Sequence, residues 1–365
     1  LKTQLSGTVN SGKARLWGSF SHLNSDGYRE NNRYRRTSLL STARWIQPTW
    51  SVNATLLFMN VDGGIPSSLG KTMFEENPES AAPAWKAIEG YKEYNNGVSA
   101  ITLTNKITDL TTSNFTVFGK LNDNYERRPF NNLDDQSVSA GIRARISYRT
   151  KKTEFTGGAE YIAEQYKWKL DKDSILLNEN SENRRHLNVF GIMYYKPVAQ
   201  LNISLAGALN HVSYRLKDLY PVNGDQSGSR EFPLIVSPRL GINYAPGDNL
   251  AVYGSMGHGF SLPSPEETLL PAGDVNPDIR PEQGMQYEIG TRLSVADKRI
   301  DIDAALYWIE LKDLLITKRI TEDIFTGINA GRSRHQGFEL LFQSELFDFG
   351  GFPGSLMAYI SYTGS

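Results

Sequence analysis

The side chains that most often catalyse reactions or bind metal ions are few and widely separated in this chain. The five histidines are His22, His186, His211, His258 and His335. No two of them have the spacing of a zinc site. The 365 residues contain no cysteine, which excludes a thiolate metal site, a disulfide framework and a cysteine nucleophile. The sequence therefore predicts no enzyme, no metal site and no bound cofactor.

Two other chemistries are also disfavoured. A glycine-rich run, GSMGHG at residues 254–259, follows an apparent strand. It opens no helix, so it lacks the helix N-terminus that would bind a phosphate. The net charge of −1 gives no basic excess, and this argues against a nucleic-acid partner.

Polar residues, some of them charged, recur instead at every second position of long alternating segments. Between residues 137 and 148, Val138, Ile142 and Ile146 alternate with Arg143 and Arg145. A period of two predicts a strand with one apolar and one polar face. The same pattern is found at residues 49–60, 200–210 and 299–309.

The lengths of these segments and of their connections indicate a membrane barrel. The alternating runs are long enough for the roughly 9–11 residues that a tilted strand needs to cross a bilayer. Tight turns alternate with long polar connections, which we place at residues 24–34, 62–95, 123–133, 171–183, 216–232, 259–282 and 317–331. The prediction is an all-β, antiparallel, up-and-down transmembrane β-barrel with about 16 strands in this chain.

Aromatic residues and prolines gather beside the tight turns. The aromatic residues are Trp45, Trp50, Tyr194, Tyr195 and Tyr244, and the prolines are Pro48, Pro197 and Pro246. Aromatic girdles of outer-membrane barrels lie at the level of the lipid headgroups. We expect these residues at one rim of the barrel and the long connections at the other.

Charged residues of the polar faces should point into the barrel. A lipid-facing Arg or Lys near the midplane costs about 2–4 kcal/mol. The predicted lumen-facing residues are Arg143, Arg145, Glu160, Glu164, Arg239, Glu288, Arg292 and Glu339.

Several short motifs resemble those of the TonB-dependent outer-membrane receptors, in particular the branch that takes up iron–siderophore complexes. They are SDGYRENN at 25–32, DGGIP at 62–66, SPRLGINYAP at 237–246, GHGFSLPS at 257–264, NPDIRPE at 276–282, YEIG at 287–290, NAG at 329–331 and QGFE at 336–339. Their order and spacing, together with the alternation of connection lengths, carry the resemblance.

The resemblance implies a barrel of about 22 strands, closed by an N-terminal plug domain, in the bacterial outer membrane. It implies uptake of an iron chelate of the siderophore or iron–citrate type, driven by the TonB complex. Residues 1–365 would then be an incomplete barrel domain without the plug, embedded in outer-membrane lipid. The start at Leu1, without Met or a signal peptide, favours a piece of a longer protein. The lumen-facing charges would contact the plug.

Ligand capture is expected in the long connections, where cations and aromatic rings suit an anionic or planar chelate. The candidate ligand-binding residues are Arg29, Arg33, Trp85, Tyr91, Tyr94, Tyr125, Arg127 and Arg128. Residues 62–95, with Arg127 and Arg128 beside them, are expected to form the outer wall of a ligand vestibule.

Other functions remain open on the sequence. A passive substrate-selective porin shares the long strands but not the motifs. A TonB-dependent transporter for glycans or another nutrient shares both. An adhesin built from soluble β repeats is disfavoured because no internal repeat of fixed period is found.

Overall fold

The chain is almost entirely β-structure in the computed structural model, which describes residues 1–225, 227–263, 279–297, 299–319, 325–348 and 355–364. The strands are β1 (Lys2–Ser11), β2 (Ala14–Ser25), β3 (Tyr34–Ile46), β4 (Trp50–Gly64), β5 (Tyr91–Lys106), β6 (Thr111–Arg127), β7 (Asn132–Arg149), β8 (Thr153–Lys172), β9 (Ile175–Tyr195), β10 (Leu201–Asp218), β11 (Gly228–Glu231), β12 (Ile235–Gly247), β13 (Leu250–Ser261), β14 (Glu282–Val295), β15 (Ile300–Lys312), β16 (Leu315–Arg319), β17 (Phe325–Asn329), β18 (Arg332–Asp348) and β19 (Ser355–Gly364). Two short helices are α1 (Lys71–Glu76) and α2 (Pro83–Ala87). Within the described residues, no helix has the length and apolar character needed to cross a membrane.

The strands form one antiparallel meander. Each strand from β1 to β10 pairs with its neighbour in sequence, and the ladder continues through β12, β13, β14, β15, β18 and β19. Sixteen strands of the described ranges thus make up the meander, while β11 adds a short pairing to β10 and the β16–β17 hairpin extends one connection. The fold class and the number of strands agree with the prediction.

The connections sort by length between the two ends of the strands. At one end, which we call the short-turn rim, the strands are joined by residues 47–49, 107–110, 150–152, 196–200 and 248–249. At the other end, the long-loop rim, the joining residues include 26–33, 65–90 and 219–234. Pro48, Pro197 and Pro246 all lie at or next to the short-turn rim, as predicted.

Two of the predicted long connections are wrong. Residues 123–133 are mostly strand, because β6 and β7 pair as far as Arg127 and Asn132. Residues 171–183 are strand as well, and β8 turns into β9 through Asp173 and Ser174 alone. Both turn residues have positive φ, 50° and 66°, as in the two-residue turns that match strand twist. Polar residues on both faces made these segments resemble loops, although their backbones remain paired.

Parts of four predictions lie outside the described residues. They are Ser264 of the GHGFSLPS motif, residues 276–278 of the NPDIRPE motif, and the central parts of the connections 259–282 and 317–331.

The two faces of the sheet differ in chemistry. In β7, Val138, Ile142 and Ile146 are 45%, 48% and 45% exposed on one face, which we call the outward face. Arg143 and Arg145 alternate with them and lie on the opposite, inner face. Large apolar side chains that remain exposed along a row of paired strands are suited to contact lipid.

Towards the long-loop rim the apolar side chains change faces. In β8, Phe155 and Tyr161 are exposed on the outward face. Further along the same strand, Tyr166, Trp168 and Leu170 are buried on the inner face. Together with Leu133 of β7 they form a small core. This change marks the level at which the strands leave the apolar band and pack against protein instead.

Candidate functional site at the long-loop rim and the inner face

The connection between β4 and β5, residues 65–90, is fastened to the preceding connection by Arg29. The Arg29 Nε and Nη2 donate to the Ser80 carbonyl oxygen at 2.9 and 2.8 Å, and Nη1 donates to the Ser67 carbonyl oxygen at 2.7 Å. Backbone carbonyls thus take the donors of this guanidinium. The structure gives Arg29 an anchoring role, rather than the exposed position expected of a ligand-binding residue.

The two residues after Arg29 complete this anchor. The Glu30 carboxylate accepts a hydrogen bond from Lys86 Nζ at 2.7 Å and one from the Ala81 backbone N–H at 3.3 Å. The Lys86 hydrogen bond lowers the pKa of Glu30 below its ordinary value. The Asn31 amide donates to the carbonyl oxygens of Ile65 and Gly90 at 2.9 and 2.8 Å, so it joins both ends of the connection.

Glycines in the two motifs permit this close approach. A Cβ on Gly64 would lie 2.5 Å from the Asn31 carbonyl oxygen, and a Cβ on Gly27 would lie 2.1 Å from that of Asn32. Gly27 also has a positive φ of 82°. The SDGYRENN and DGGIP motifs therefore meet in space, and we name residues 27–31 together with 64–90 the loop anchor.

Other predicted ligand residues near the loop anchor make protein contacts. Arg33 Nη2 lies 3.4 Å from Asp62 Oδ1. Trp85 in α2 covers Gly90, where a Cβ would lie 2.5 Å from the Trp85 ring. These contacts pack the connection and leave its exposed surface to other side chains.

The structure separates the remaining candidates between the two faces. Tyr91, Tyr125 and Arg127 belong to the outward rows of β5 and β6, where Tyr91 is directly opposite Arg127. The rings of Tyr91 and Tyr125 are 5.8 Å apart. Tyr94 lies on the inner face.

Of the remaining two candidates, Tyr94 lies on the inner face of β5 and Arg128 lies in the connection between β6 and β7. The Tyr94 hydroxyl donates to Asn122 Oδ1 at 3.0 Å, and Asn96 donates to the same oxygen at 2.5 Å. The Arg128 guanidinium stacks over the Phe130 ring at 5.1 Å. The inner face near Tyr94 thus offers amides and a phenol, and the nearby connection offers a stacked cation, all suited to bind polar or anionic groups.

The inner faces of β7 and β8 carry four of the predicted lumen-facing charges. Arg143 Nε donates to Glu160 Oε2 at 2.5 Å, and Arg145 Nε donates to Asn114 Oδ1 at 2.9 Å. Glu164 stands opposite Arg184 of β9. All these groups share the face away from the exposed apolar rows.

The other four predicted lumen-facing residues lie on the same face of later strands. Arg292 Nε donates to Asp303 Oδ2 at 3.0 Å, and its guanidinium lies 5.2 Å from the Tyr253 ring centroid. Arg239 and Glu288 face Gly257 and Ser255 across the ladders, and Glu339 faces Ala305. Contact between these residues and a plug domain stays a prediction.

A cluster centred on Arg184 is not among the residues predicted from the sequence. Its guanidinium lies 5.3 Å from the Tyr166 ring centroid and 5.1 Å from that of Tyr214. The Arg184 Nε also donates to Glu182 Oε1 at 2.5 Å. Tyr166 stacks on Trp168 with ring centroids 5.2 Å apart. The available signal was the change of apolar residues from odd to even positions in β8.

These residues are arranged for binding rather than for reaction. Within the described residues, no group of three or more histidine or acidic side chains could hold a metal ion. Charged side chains of the inner face pair with one another across the strands, and the long-loop rim carries a rigid, anchored connection. This arrangement defines a membrane β-barrel with a polar interior and a structured mouth at one end.

Comparison with known families identifies the kind of barrel. The chain belongs to the family described as TonB dependent receptor-like, beta-barrel, whose model matches residues 3–364. Members of this family are receptors and transporters of the bacterial outer membrane, not enzymes. The chain is thus a receptor barrel of the outer membrane. A search of curated protein sequences finds no match.

Solved structures of receptors and transporters share the fold at low sequence identity. The unliganded ferric citrate transporter FecA is 14% identical with a TM-score of 0.78, and the match covers 99% of this chain and 56% of FecA. The copper transporter OprC is 13% identical with a TM-score of 0.77, covering 99% of this chain and 58% of OprC. The siderophore receptor PiuA from Acinetobacter baumannii is 15% identical with a TM-score of 0.71, covering 100% of this chain and 61% of PiuA. The chain therefore spans between half and two thirds of the length of these proteins.

Proposed function

We propose that this chain is the barrel part of an outer-membrane receptor that takes up an iron chelate with energy supplied through TonB. The observation that carries the proposal is the family match over residues 3–364. The full-length receptor would contain a plug domain inside the barrel, and the paired charges of the inner face are suited to contact it. Arg143 with Glu160 and Arg292 with Asp303 are the clearest of these pairs.

The cargo is proposed to be a siderophore or iron–citrate complex. Support comes from the names of two similar structures, a ferric citrate transporter and a siderophore receptor. A copper transporter with nearly the same TM-score favours a second candidate, in which the same barrel takes up copper. Growth of a deletion strain on a panel of defined iron chelates, and its copper uptake, would distinguish the two. A growth defect restricted to one iron chelate supports the proposal. A defect in copper uptake alone would contradict it.

Within the proposed receptor, the ligand vestibule includes the inner side of the mouth near Tyr94 and Arg128. Replacing Arg128 by Ala should weaken chelate binding roughly ten-fold or more, because one charge-assisted hydrogen bond contributes about 1.5–3 kcal/mol. Arg127 is the matched control, since the adjacent arginine lies on the outward row of β6. Arg127→Ala should leave the affinity unchanged. Equilibrium binding to intact cells measures both variants, and equal affinities would contradict this vestibule.

A further inference from the structure

A group of cations lies on the outward face of β8, β9 and β10, just beyond the apolar band. Its members are Lys167, Lys169, Arg185, Arg215 and Lys217, and we call them the basic patch. All five are exposed. None of the ion pairs recorded between described residues involves any of them.

The pairing of the strands brings these cations together. Arg185 is opposite Ser213 of β10, two residues before Arg215. The two arginines are therefore diagonal neighbours, which lie about 7–8 Å apart in a sheet. Lys167 and Lys217 flank the small Ser181 in the next row towards the long-loop rim.

The position of the patch relative to the apolar band sets its level in the membrane. Leu187 and Val189 of β9 belong to the apolar band and are 42% and 45% exposed on the outward face. Arg185 is the next outward residue of β9 beyond Leu187 towards the long-loop rim. Long cationic side chains at the border of the apolar band reach the headgroup region. Because long loops of outer-membrane barrels face the cell exterior, this border belongs to the outer leaflet.

A groove on the same face joins the cations to an apolar wall. It has a volume of about 740 Å³, and its lining includes Val138, Ala140 and Ala163 beside Arg185, Arg215 and the acidic residue Glu231. A soluble anion would need only the cations. The combination of an apolar wall below and guanidinium groups above suits a molecule with acyl chains and an anionic headgroup.

Three acidic residues share the face of the patch, so its five cations leave an excess of positive charge. Glu179 and Asp134 stand opposite Lys169, and Glu231 lies 3.4 Å from His211.

The ladder row that contains Lys167 and Lys217 has no cation where it crosses β4, β5 and β6. The outward row of β4, β5 and β6 there contains Asn60, Asn95 and Asp123.

We propose that the groove and the basic patch bind the phosphorylated headgroup of an outer-leaflet lipid, with Arg185 and Arg215 donating to its phosphate oxygens. Arginine binds phosphate through two parallel N–H donors, and these charge-assisted hydrogen bonds are strong. The inference rests on the outer-membrane location of the barrel and is independent of the cargo. It predicts one lipid held at a fixed place on the barrel wall.

The test measures lipid binding to the full-length receptor in detergent by native mass spectrometry. The probes are bisphosphorylated lipid A and the same lipid after removal of its phosphates. We expect the wild-type receptor to bind the phosphorylated form at least ten-fold more tightly. Arg185→Gln with Arg215→Gln should abolish this preference, whereas Arg185→Lys with Arg215→Lys should keep most of it.

The matched control removes two exposed cations from the short-turn rim, Lys151→Gln with Lys196→Gln, and should leave the preference intact. Equal wild-type affinity for the two lipid forms would overturn the proposal, and so would an unchanged preference in the double glutamine variant. Complete displacement by inorganic phosphate would assign the site to a free anion and contradict lipid binding. Heat-modifiable migration on gels checks assembly. If the double variant does not assemble, the single glutamine variants and the wild-type comparison decide the outcome.

Discussion

The loop anchor gives a quantitative prediction for Arg29. Its guanidinium makes three hydrogen bonds of 2.7–2.9 Å to the carbonyls of Ser67 and Ser80, which belong to the 65–90 connection. Charge-assisted hydrogen bonds contribute about 1.5–3 kcal/mol each, less where water replaces them. Since the site is only partly buried, we expect Arg29→Ala to destabilise docking of the connection by about 2–4 kcal/mol.

Such a loss should raise the local opening equilibrium of the connection by roughly 30- to 1000-fold. Native-state hydrogen exchange of the full-length receptor measures this opening directly. The informative amides are those of Ile65, which donates to the Gly90 carbonyl at 2.8 Å, and Ala82, which donates to the Pro66 carbonyl at 2.8 Å. Amides in the middle of β7 should keep their protection.

Arg33→Ala serves as the control for the loss of an arginine. It removes one ion pair of 3.4 Å whose arginine is half exposed, so the expected effect is under about 1 kcal/mol. Unchanged protection of Ile65 and Ala82 in Arg29→Ala would refute the anchoring role. So would equal effects of the two substitutions.

Three further changes test other parts of the structure. Gly64→Ala should open the same connection, because its Cβ would lie 2.5 Å from the Asn31 carbonyl oxygen, and faster proteolysis of residues 65–90 measures this. Acidification should also loosen the loop anchor. The pKa of Glu30 is lowered in the folded protein, so the stability contributed by its ionised carboxylate is present above the ordinary pKa near 4.5. That stability is lost as the pH falls through the lower pKa of the folded state. Trp168→Ala should destabilise the β8–β9 hairpin by about 3–5 kcal/mol, since the side chain is 2% exposed, and hydrogen exchange of that hairpin measures the loss.

Each of these changes has a control. At Gly63 a new Cβ would meet its nearest atom at an ordinary 3.5 Å, so Gly63→Ala should be tolerated, and equal proteolysis of both glycine variants would contradict the steric argument. Glu30→Gln should remove the acid-dependent loosening between pH 5 and the folded pKa of Glu30, and an unaltered pH profile would assign it to another group. Tyr161→Ala, on the outward face of β8, should leave the hairpin core intact. A comparable loss of protection in this variant would contradict the role of Trp168.

The membrane-spanning part of the fold was accessible to sequence reasoning because one physical rule governs it. In β7 the alternation of Val138, Ile142 and Ile146 with Arg143 and Arg145 is uninterrupted, and a one-residue shift of register would exchange lipid and lumen faces. A charge exposed to lipid is costly, so the pattern is compatible with only one register of the strand. The lengths of the connections then predict the rim at which each turn lies.

Beyond the apolar band this rule no longer applies. Residues 171–183 carry polar side chains on both faces, so period and polarity do not distinguish a paired strand from a loop there. The turn at Asp173 and Ser174 lacks the asparagine–glycine or aspartate–glycine pair that would have indicated it. The sequence therefore placed a long loop where two strands continue.

The candidate site shows a different limit. The motif that contains Arg29 was found from the sequence, but its acceptors are carbonyls 38 and 51 residues away in the chain. Side-chain type indicates a cation at the mouth, and only the folded backbone shows that its donors are occupied. Arg127 and Arg128 are adjacent in sequence, but Arg127 lies on the outward row of β6 and Arg128 lies in the connection that follows it.

Energised transport is the central claim, and uptake of a radiolabelled iron chelate by intact cells tests it most directly. Cells with the full-length receptor should accumulate the chelate, and accumulation should cease when TonB is deleted or the proton gradient is collapsed. Binding at the cell surface should persist under both conditions, because the barrel and its mouth remain assembled. Accumulation that continues without TonB at the same rate would contradict the account and assign the barrel to passive diffusion.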